Sequence, residues 1–150
     1  KYHIVRTGLS PRYYDGDTRY LHAVMNLLVE HIETYGLEYF QEWTDELSQD
    51  LAQRNNQQEM IDIYKWWKVD RPAQQAKFKQ LNEIAYSDDP FDWLPTVIDG
   101  KQPLYKLEYK QSTPQIEQAR REARDLEMLI HKTEYEMVQR LAKVYTSLWI

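Results

Sequence analysis

The chain has 150 residues, of which 42% are hydrophobic and none is cysteine, so we expect one folded domain that needs no disulfide or metal staple. Its formal net charge of -5 argues against a broad, sequence-independent grip on nucleic acid, because such a grip relies on many Lys and Arg side chains. No apolar run approaches the roughly 20 residues that cross a bilayer, and the first residues lack the apolar centre of a secretory signal, so we expect no membrane association.

The N-terminal part predicts an arm followed by a helix. Two glycines and a proline interrupt any regular period across residues 1–16, which predicts an irregular arm. Asp17 stands where an N-cap is expected, and Gly36 stands where a C-terminal cap is expected. Between them the apolar residues recur at helical spacing: Leu21, Val24, Leu28 and Ile32. The pattern predicts a first helix over 18–35.

Residues 17–86 as a whole predict helical hairpins. After the first helix, a second is predicted over 37–53, with one apolar side formed by Phe40, Trp43, Leu47 and Leu51. A fourth helix is predicted from Pro72, which is tolerated in a first helical turn, to about Tyr86. Short connections between such helices favour antiparallel packing.

The third helix lies in the stretch NNQQEMIDIYKWWKVDRP and carries the most unusual side chains. Asn55 or Asn56 is predicted to cap it, and it is predicted to end before Pro72. Its apolar stripe is Met60, Ile63, Tyr64 and Trp67. Neighbouring residues point in different directions on a helix, so we expect at most one of Trp66 and Trp67 in the stripe.

The region 87–112 predicts a Pro-rich loop or a small β-ribbon, with an Asp99-Gly100 turn and a strand-like alternation in LYKLEYK. A long helix over 113–150 then begins with Thr113 as cap and Pro114 in the first turn. Its apolar positions follow a 4-3 alternation that suits bundle packing or self-association: Leu126, Ile130, Thr133, Met137, Leu141, Val144 and Leu148. The predicted fold class is therefore all-α, a single helical bundle of about five helices.

Two acidic pairs are the strongest candidates for chemistry. Glu30 and Glu33 form ExxE on the first helix, and Glu59 and Asp62 form ExxD on the third. Residues three apart share a helix face, so two antiparallel helices can bring four carboxylates together. Such a cluster suits Mg²⁺ or Mn²⁺ and metal-assisted hydrolysis, with Glu33 and Glu59 as candidate catalytic groups. The alternative is that all four acids lie on solvated faces.

Trp66 and Lys65 are the candidates for substrate binding. Trp66 shares a face with Glu59 and Asp62, where an aromatic ring is suited to stacking on a base. The alternative for such a Trp is a place in the core or in an interface.

A basic patch raises nucleic-acid binding as a third hypothesis. It consists of Lys106, Lys110, Arg120, Arg121 and Arg124, beside Tyr105 and Tyr109. Acidic residues interleaved with these cations weaken the positive electrostatic potential of the patch. The alternative is a solvated surface with internal salt bridges.

The acidic pairs together resemble the all-α MazG-like and dimeric dUTPase nucleotide pyrophosphatases, over about residues 17–67. That resemblance implies Glu30, Glu33, Glu59 and Asp62 as metal ligands and a nucleoside triphosphate as substrate. The first motif departs from the family pattern, since Val29 stands where an additional Glu is usual. The downstream Lys/Arg and Asn signature is replaced at best by Lys77, Lys79 and Asn82.

Across most of the chain, three segments resemble a family of small proteins of tailed bacteriophages to which no activity is assigned. They are PRYYDGDTRYLHAVMNLLVEHIE, QEMIDIYKWWKVDRP and DLEMLIHKTEYEMVQRLAKVYTSLWI. The resemblance implies a phage gene product in the cytoplasm of a bacterial host or in the virion. A phage origin fits either of two function classes: a Mg²⁺-dependent nucleoside triphosphate pyrophosphatase, or a non-enzymatic protein that binds a host or phage protein or takes part in virion assembly. A homo-oligomer formed through the C-terminal helix is a separate expectation.

Overall fold

The computed structural model describes residues 6–39, 51–87, 91–96, 104–110 and 112–145. These residues are mostly helical, with one small antiparallel sheet, which confirms the helical class predicted from the sequence. In chain order the elements are α1 (Gly16–Tyr35), α2 (Leu51–Lys65), a π-helical turn (Trp66–Asp70), α3 (Arg71–Ala85), β1 (Phe91–Thr96), β2 (Leu104–Tyr109) and α4 (Pro114–Val144). Most of the predicted second helix, 40–50, lies outside the described residues, so the count of about five helices stays a prediction.

The chain forms two compact units. The first consists of Lys1–Ala73 and Ile130–Ile150, and the second consists of Gln74–Leu129. Within the described part of the chain, no helix is both long enough and apolar enough to span a membrane.

α1 begins earlier than its periodicity predicted, because a different aspartate caps it. The Asp15 side chain accepts a hydrogen bond from the Thr18 backbone N–H at 2.9 Å, and Asp17 lies in the first turn. The predicted cap at Asp17 is therefore wrong, although an acid in the first turn also favours the helix. At the other end Gly36 has a φ of 85°, and its N–H donates to the Ile32 carbonyl, as the sequence predicted.

α2 has already begun at Leu51, so the predicted cap at Asn55 or Asn56 is wrong. The helix also does not end before Pro72, since the backbone stays helical through the π turn into α3. In that turn the Arg71 N–H donates to the carbonyl of Trp66, five residues back. A proline in a regular α-helix lacks its own donor and clashes with the carbonyl four residues back. The wider π turn just before Pro72 is a local way to absorb that clash.

The core of the first unit is built from α1, α2, the π turn and the end of α4. Its fully buried side chains are Met25, Leu28, Ile32, Met60, Ile61 and Ile63. Both Trp66 and Trp67 are buried there, at 5% and 9% exposure, so Trp66 has the place in the core that was the alternative to a binding role. Ile61 is buried as well, so a larger part of the circumference of α2 is buried than the predicted apolar stripe.

The second unit contains most of α3, the ribbon and the first half of α4. Strands β1 and β2 pair antiparallel, with Phe91 opposite Tyr109 and Thr96 opposite Leu104. The structure thus shows a ribbon where the sequence allowed either a loop or a ribbon, while the Asp99-Gly100 turn lies outside the described residues. The buried hydrophobic side chains of this unit include Ala85, Ile116, Ala119 and Ala123.

α4 starts at Pro114 after Thr113, as predicted; the Thr113 carbonyl accepts from the Glu117 N–H at 3.0 Å. The C-terminal part of its apolar stripe packs against other elements of the same chain. Leu141 and Val144 are buried in the core of the first unit, and Met137 packs against it. These positions are therefore already covered within one copy, while Leu148 lies outside the described residues. Self-association through this helix stays a prediction.

Candidate functional site

Glu33, at the end of α1, is held by two side chains of the following helical segment. Lys68 Nζ lies 2.9 Å from its Oε1, and the Tyr64 hydroxyl donates to the same oxygen at 3.2 Å. The hydrogen bond from Lys68 lowers the pKa of Glu33, with a smaller contribution from Tyr64. The carboxylate is thus ionised and already balanced by a cation.

Glu59, on α2, faces α4 instead. Arg140 Nη2 donates to Glu59 Oε2 at 2.9 Å, and Arg140 Nε donates to Glu59 Oε1, which makes the pair bidentate. The hydrogen bond from Arg140 lowers the pKa of Glu59, and the nearby Lys143 lowers it further. Planar guanidinium and carboxylate groups match in this geometry, so the pair fixes α4 against α2.

Among the described residues, no cation is found paired with either of the other two acids. Glu30 is exposed, and Asp62 is exposed with its Oδ1 accepting a hydrogen bond from the Gln58 amide at 2.8 Å. In the part of the chain that the structure describes, no three Asp, Glu or His side chains form a group that could hold a metal ion. The expected convergence of four carboxylates is therefore not observed. Glu33 and Glu59 are each paired with a cation, and metal binding by the four acids stays a prediction.

Trp66 does not present its ring to solvent. It belongs to the core, and its indole Nε1 is buried without a hydrogen-bond partner among the described residues. A surface stacking role for Trp66 is therefore not supported by this position. Lys65, the other candidate for substrate binding, is exposed in the last turn of α2.

An open cleft of about 550 Å³ lies along one face of α3 in the second unit. It is lined by Phe78, Lys79, Asn82, Glu83 and Tyr86. Lys79 and Asn82 are two of the residues weighed as a downstream signature, whereas Lys77 does not line the cleft. The four acids belong to the first unit.

The basic residues proposed for nucleic acid are mostly engaged within the second unit. Lys106 pairs with Glu108 at 2.9 Å, and Lys110 pairs with Asp92 at 3.1 Å. Arg120 donates to the Ala85 carbonyl at 3.1 Å and to the Ser112 hydroxyl at 2.8 Å, which ties the end of α3 to α4.

Arg121 and Arg124 are exposed on α4. With three of the five cations used internally, the arrangement favours the salt-bridged surface over a phosphate-binding patch.

A surface stripe on α1, which we call the aromatic stripe, was not singled out from the sequence. It consists of Tyr20, Leu27, His31 and Tyr35, at spacings of seven, four and four residues. Tyr20 is 60% exposed, Leu27 36% and Tyr35 55%. The ring centroids of His31 and Tyr35 lie 5.3 Å apart in an edge-to-face arrangement. The ring centroid of Tyr39 lies 5.9 Å from that of Tyr35.

This stripe lies beside the buried stripe of Leu21, Met25, Leu28 and Ile32, so α1 is apolar over more of its circumference than one core face requires. A second apolar series at helical spacing was the sequence signal for it.

No protein-family model, curated protein or solved structure matches this chain.

Proposed function

We propose that this protein acts without catalysis, by binding another protein through the aromatic stripe of α1. The observation that carries the proposal is the exposure of Tyr20, Leu27 and Tyr35 along one line of a helix whose neighbouring face is core. Contiguous exposed apolar surface marks interaction sites in folded proteins, and Tyr is enriched among the residues that dominate binding energy.

The geometry of the stripe suits this role. α1 is anchored at both ends, by the Asp15 cap and the Gly36 cap, and on one side by fully buried Met25 and Leu28. The exposed rings therefore stand on a rigid helix, so a partner orders few side chains when it binds. In a phage, which the sequence resemblance implies, the partner is a host protein or a component of the virion.

Metal-dependent hydrolysis of a nucleoside triphosphate is the alternative raised by the acidic pairs. It requires Glu33 to leave Lys68 and Glu59 to leave Arg140, so that carboxylates now held by cations become free for a metal. Breaking a partly buried, bidentate Arg–carboxylate pair to free a ligand opposes metal binding. The described arrangement therefore supports the binding function better.

The test compares three chains immobilised at equal density in a bacterial extract: the unchanged chain, a double variant Tyr20→Ser with Tyr35→Ser, and a matched control Tyr13→Ser with Tyr135→Ser. Tyr13 and Tyr135 are 91% and 66% exposed and lie outside the stripe. Retained proteins are quantified by mass spectrometry, and self-association is followed by sedimentation. We expect a defined protein, or a second copy of the chain, to bind the unchanged chain and the control variant. We expect the same binding to be lost in the stripe variant.

Equal retention on all three chains, with no change in self-association, overturns the proposal. A parallel panel of nucleoside triphosphates with Mg²⁺ or Mn²⁺ is scored for pyrophosphate. Turnover that disappears in Glu59→Gln, while the helices remain folded, would favour the hydrolase instead.

A further inference from the structure

The ribbon formed by β1 and β2 leaves apolar side chains exposed on both of its faces. Tyr105 is 61% exposed and Leu107 43% exposed on one face. Leu94, which is 43% exposed, is the register partner of Lys106 and lies on the other face. A two-stranded ribbon is only marginally stable unless it packs against a helix or gains further strands. With apolar side chains exposed on both faces, this ribbon is suited to gaining strands.

The edge of β2 is the better of the two edges for pairing with another strand. In the described part of the chain the sheet has two strands, so each strand has one edge that no other strand occupies. β1 contains Pro95, which has no backbone N–H, and a proline protects a sheet edge against further pairing. β2 has the sequence LYKLEY and therefore keeps all its backbone donors.

The charges of β2 are arranged so that the strand complements a second copy of itself. Lys106 and Glu108 share one face, lie on either side of Leu107 in the sequence, and are 65% and 49% exposed. In an antiparallel pair of two copies centred on Leu107, Lys106 of each copy lies opposite Glu108 of the other. A pair centred on Lys106 or on Glu108 would instead place like charges opposite each other, so the charges select one register.

The ribbon also gives Glu108 a neighbour of like charge. Glu108 is the register partner of Asp92 on β1. Lys106 Nζ lies 2.9 Å from Glu108 Oε1, and Lys110 Nζ lies 3.1 Å from Asp92 Oδ1. Two acids directly opposite each other destabilise a sheet. A lysine of a second copy, on the other side of β2, would therefore give Glu108 a stabilising neighbour.

We propose that the edge of β2 binds the same edge of a second copy of this chain, which forms an antiparallel four-stranded sheet with its two-fold axis at Leu107. The occupant is a second copy because the order of Lys106 and Glu108 is complementary to its own reverse in this register. The pairing of two short strands buries a small area, so the dimer is weak and depends on concentration. The inference is independent of the aromatic stripe on α1.

The test is sedimentation velocity of the purified full chain at low ionic strength, at concentrations up to about 1 mM, where such a weak dimer is populated. We expect the unchanged chain to dimerise. Lys106→Glu and Glu108→Lys each place two like-charged pairs across the two-fold axis, so each should raise the dimer dissociation constant about tenfold or more. The double variant, which exchanges the two charges, should dimerise as the unchanged chain does.

A mixture of the two single variants separates contacts between chains from contacts within one strand. Each single variant carries like charges at positions 106 and 108 of its own strand. In an equimolar mixture the two acids of one variant face the two lysines of the other, so we expect a heterodimer that forms more readily than either homodimer. Lys79→Glu is the matched control, because it also reverses a lysine that pairs with an acid of its own element, Glu83 at 4.0 Å. It should leave the dimer unchanged.

Three results would overturn the proposal. The first is an unchanged chain that stays monomeric over the whole concentration range. The second is a dimer that neither single charge reversal weakens, which would place self-association on another surface even where the aromatic stripe binds a partner. The third is a dimer that is lost in the single variants and restored neither in the double variant nor in the mixture.

Discussion

The Arg140 guanidinium binds both carboxylate oxygens of Glu59, although 81 residues separate the two in the sequence. The pair joins α2 to α4 at the edge of the core. It also engages one of the four carboxylates that the sequence analysis considered as metal ligands. This contact therefore bears on both the stability of the fold and the class of its function.

A double-mutant cycle of Glu59→Gln and Arg140→Gln should give a coupling energy of about 0.5–1 kcal/mol. The pair is bidentate, and its side chains are about one-third exposed, at 30% and 34%, so solvent screening limits the value. The measurement is urea unfolding at pH 7. The exposed pair Lys79–Glu83, at 4.0 Å, is the control and should couple by only a few tenths of a kcal/mol.

The same carboxylate should make the fold acid-sensitive. Because the folded-state pKa of Glu59 lies below its ordinary value of 4.5, its stabilising contribution is present above that pH and is lost as the pH falls through the folded pKa. The free energy of unfolding should therefore fall less steeply below pH 4.5 in Glu59→Gln than in the parent chain. Parallel curves for the two chains would contradict this role.

The cap of α1 can be located by two single substitutions. Asp15→Ala should cost about 0.5–2 kcal/mol, since it removes the acceptor of the Thr18 N–H. Asp17→Ala removes only a first-turn charge, which is worth about 0.3–1 kcal/mol. Thermal unfolding of both variants decides the matter, and a larger loss with Asp17→Ala would restore the cap predicted from the sequence.

The core should respond to truncation in proportion to burial. Ile63→Ala is expected to cost about 2–5 kcal/mol, because the side chain is fully buried between helices of the first unit. Leu51→Ala, at a residue 70% exposed, should change stability by less than about 0.5 kcal/mol. Similar losses at the two positions would mean that α2 is packed differently.

Burial of His22 also has a consequence for stability. Its folded-state pKa lies below the ordinary 6.5, so the folded chain binds this proton less readily than the unfolded chain. The free energy of unfolding should be undiminished above pH 6.5 and decrease as the pH falls from 6.5 toward the folded pKa. Urea unfolding at pH 7.5 and 5 should show a larger decrease in the parent chain than in His22→Gln.

The sequence predicted the elements whose signals are local. The periodicity of Leu21, Leu28 and Ile32, the glycine at 36 and the Thr113-Pro114 pair located α1 and α4 closely. The N-cap of α1 was predicted at Asp17, but the residue that caps the helix is Asp15. The two aspartates stand two residues apart, and the sequence alone does not show which of them has the extended backbone of an N-cap. The π turn was missed because helical spacing does not show how a proline within a continuous helix is accommodated.

The candidate site was harder to predict for a different reason. Spacing within a helix tells which side chains share a face, but not which neighbouring element covers that face. Glu33 meets Lys68, whereas Glu59 meets Arg140 of a distant helix, so the two acidic pairs are drawn to different partners. The exposure of Tyr20 and Tyr35 likewise depends on what packs against α1.

The most direct test of the central claim is the retention of partner proteins by the chain with Tyr20→Ser and Tyr35→Ser, measured against the Tyr13→Ser and Tyr135→Ser control. If α1 binds a protein through its aromatic stripe, the stripe variant retains at least tenfold less partner than the unchanged chain, which corresponds to about 1.4 kcal/mol of binding free energy. The control variant retains as much partner as the unchanged chain. Unchanged retention in the stripe variant, with its helices intact, would contradict the claim.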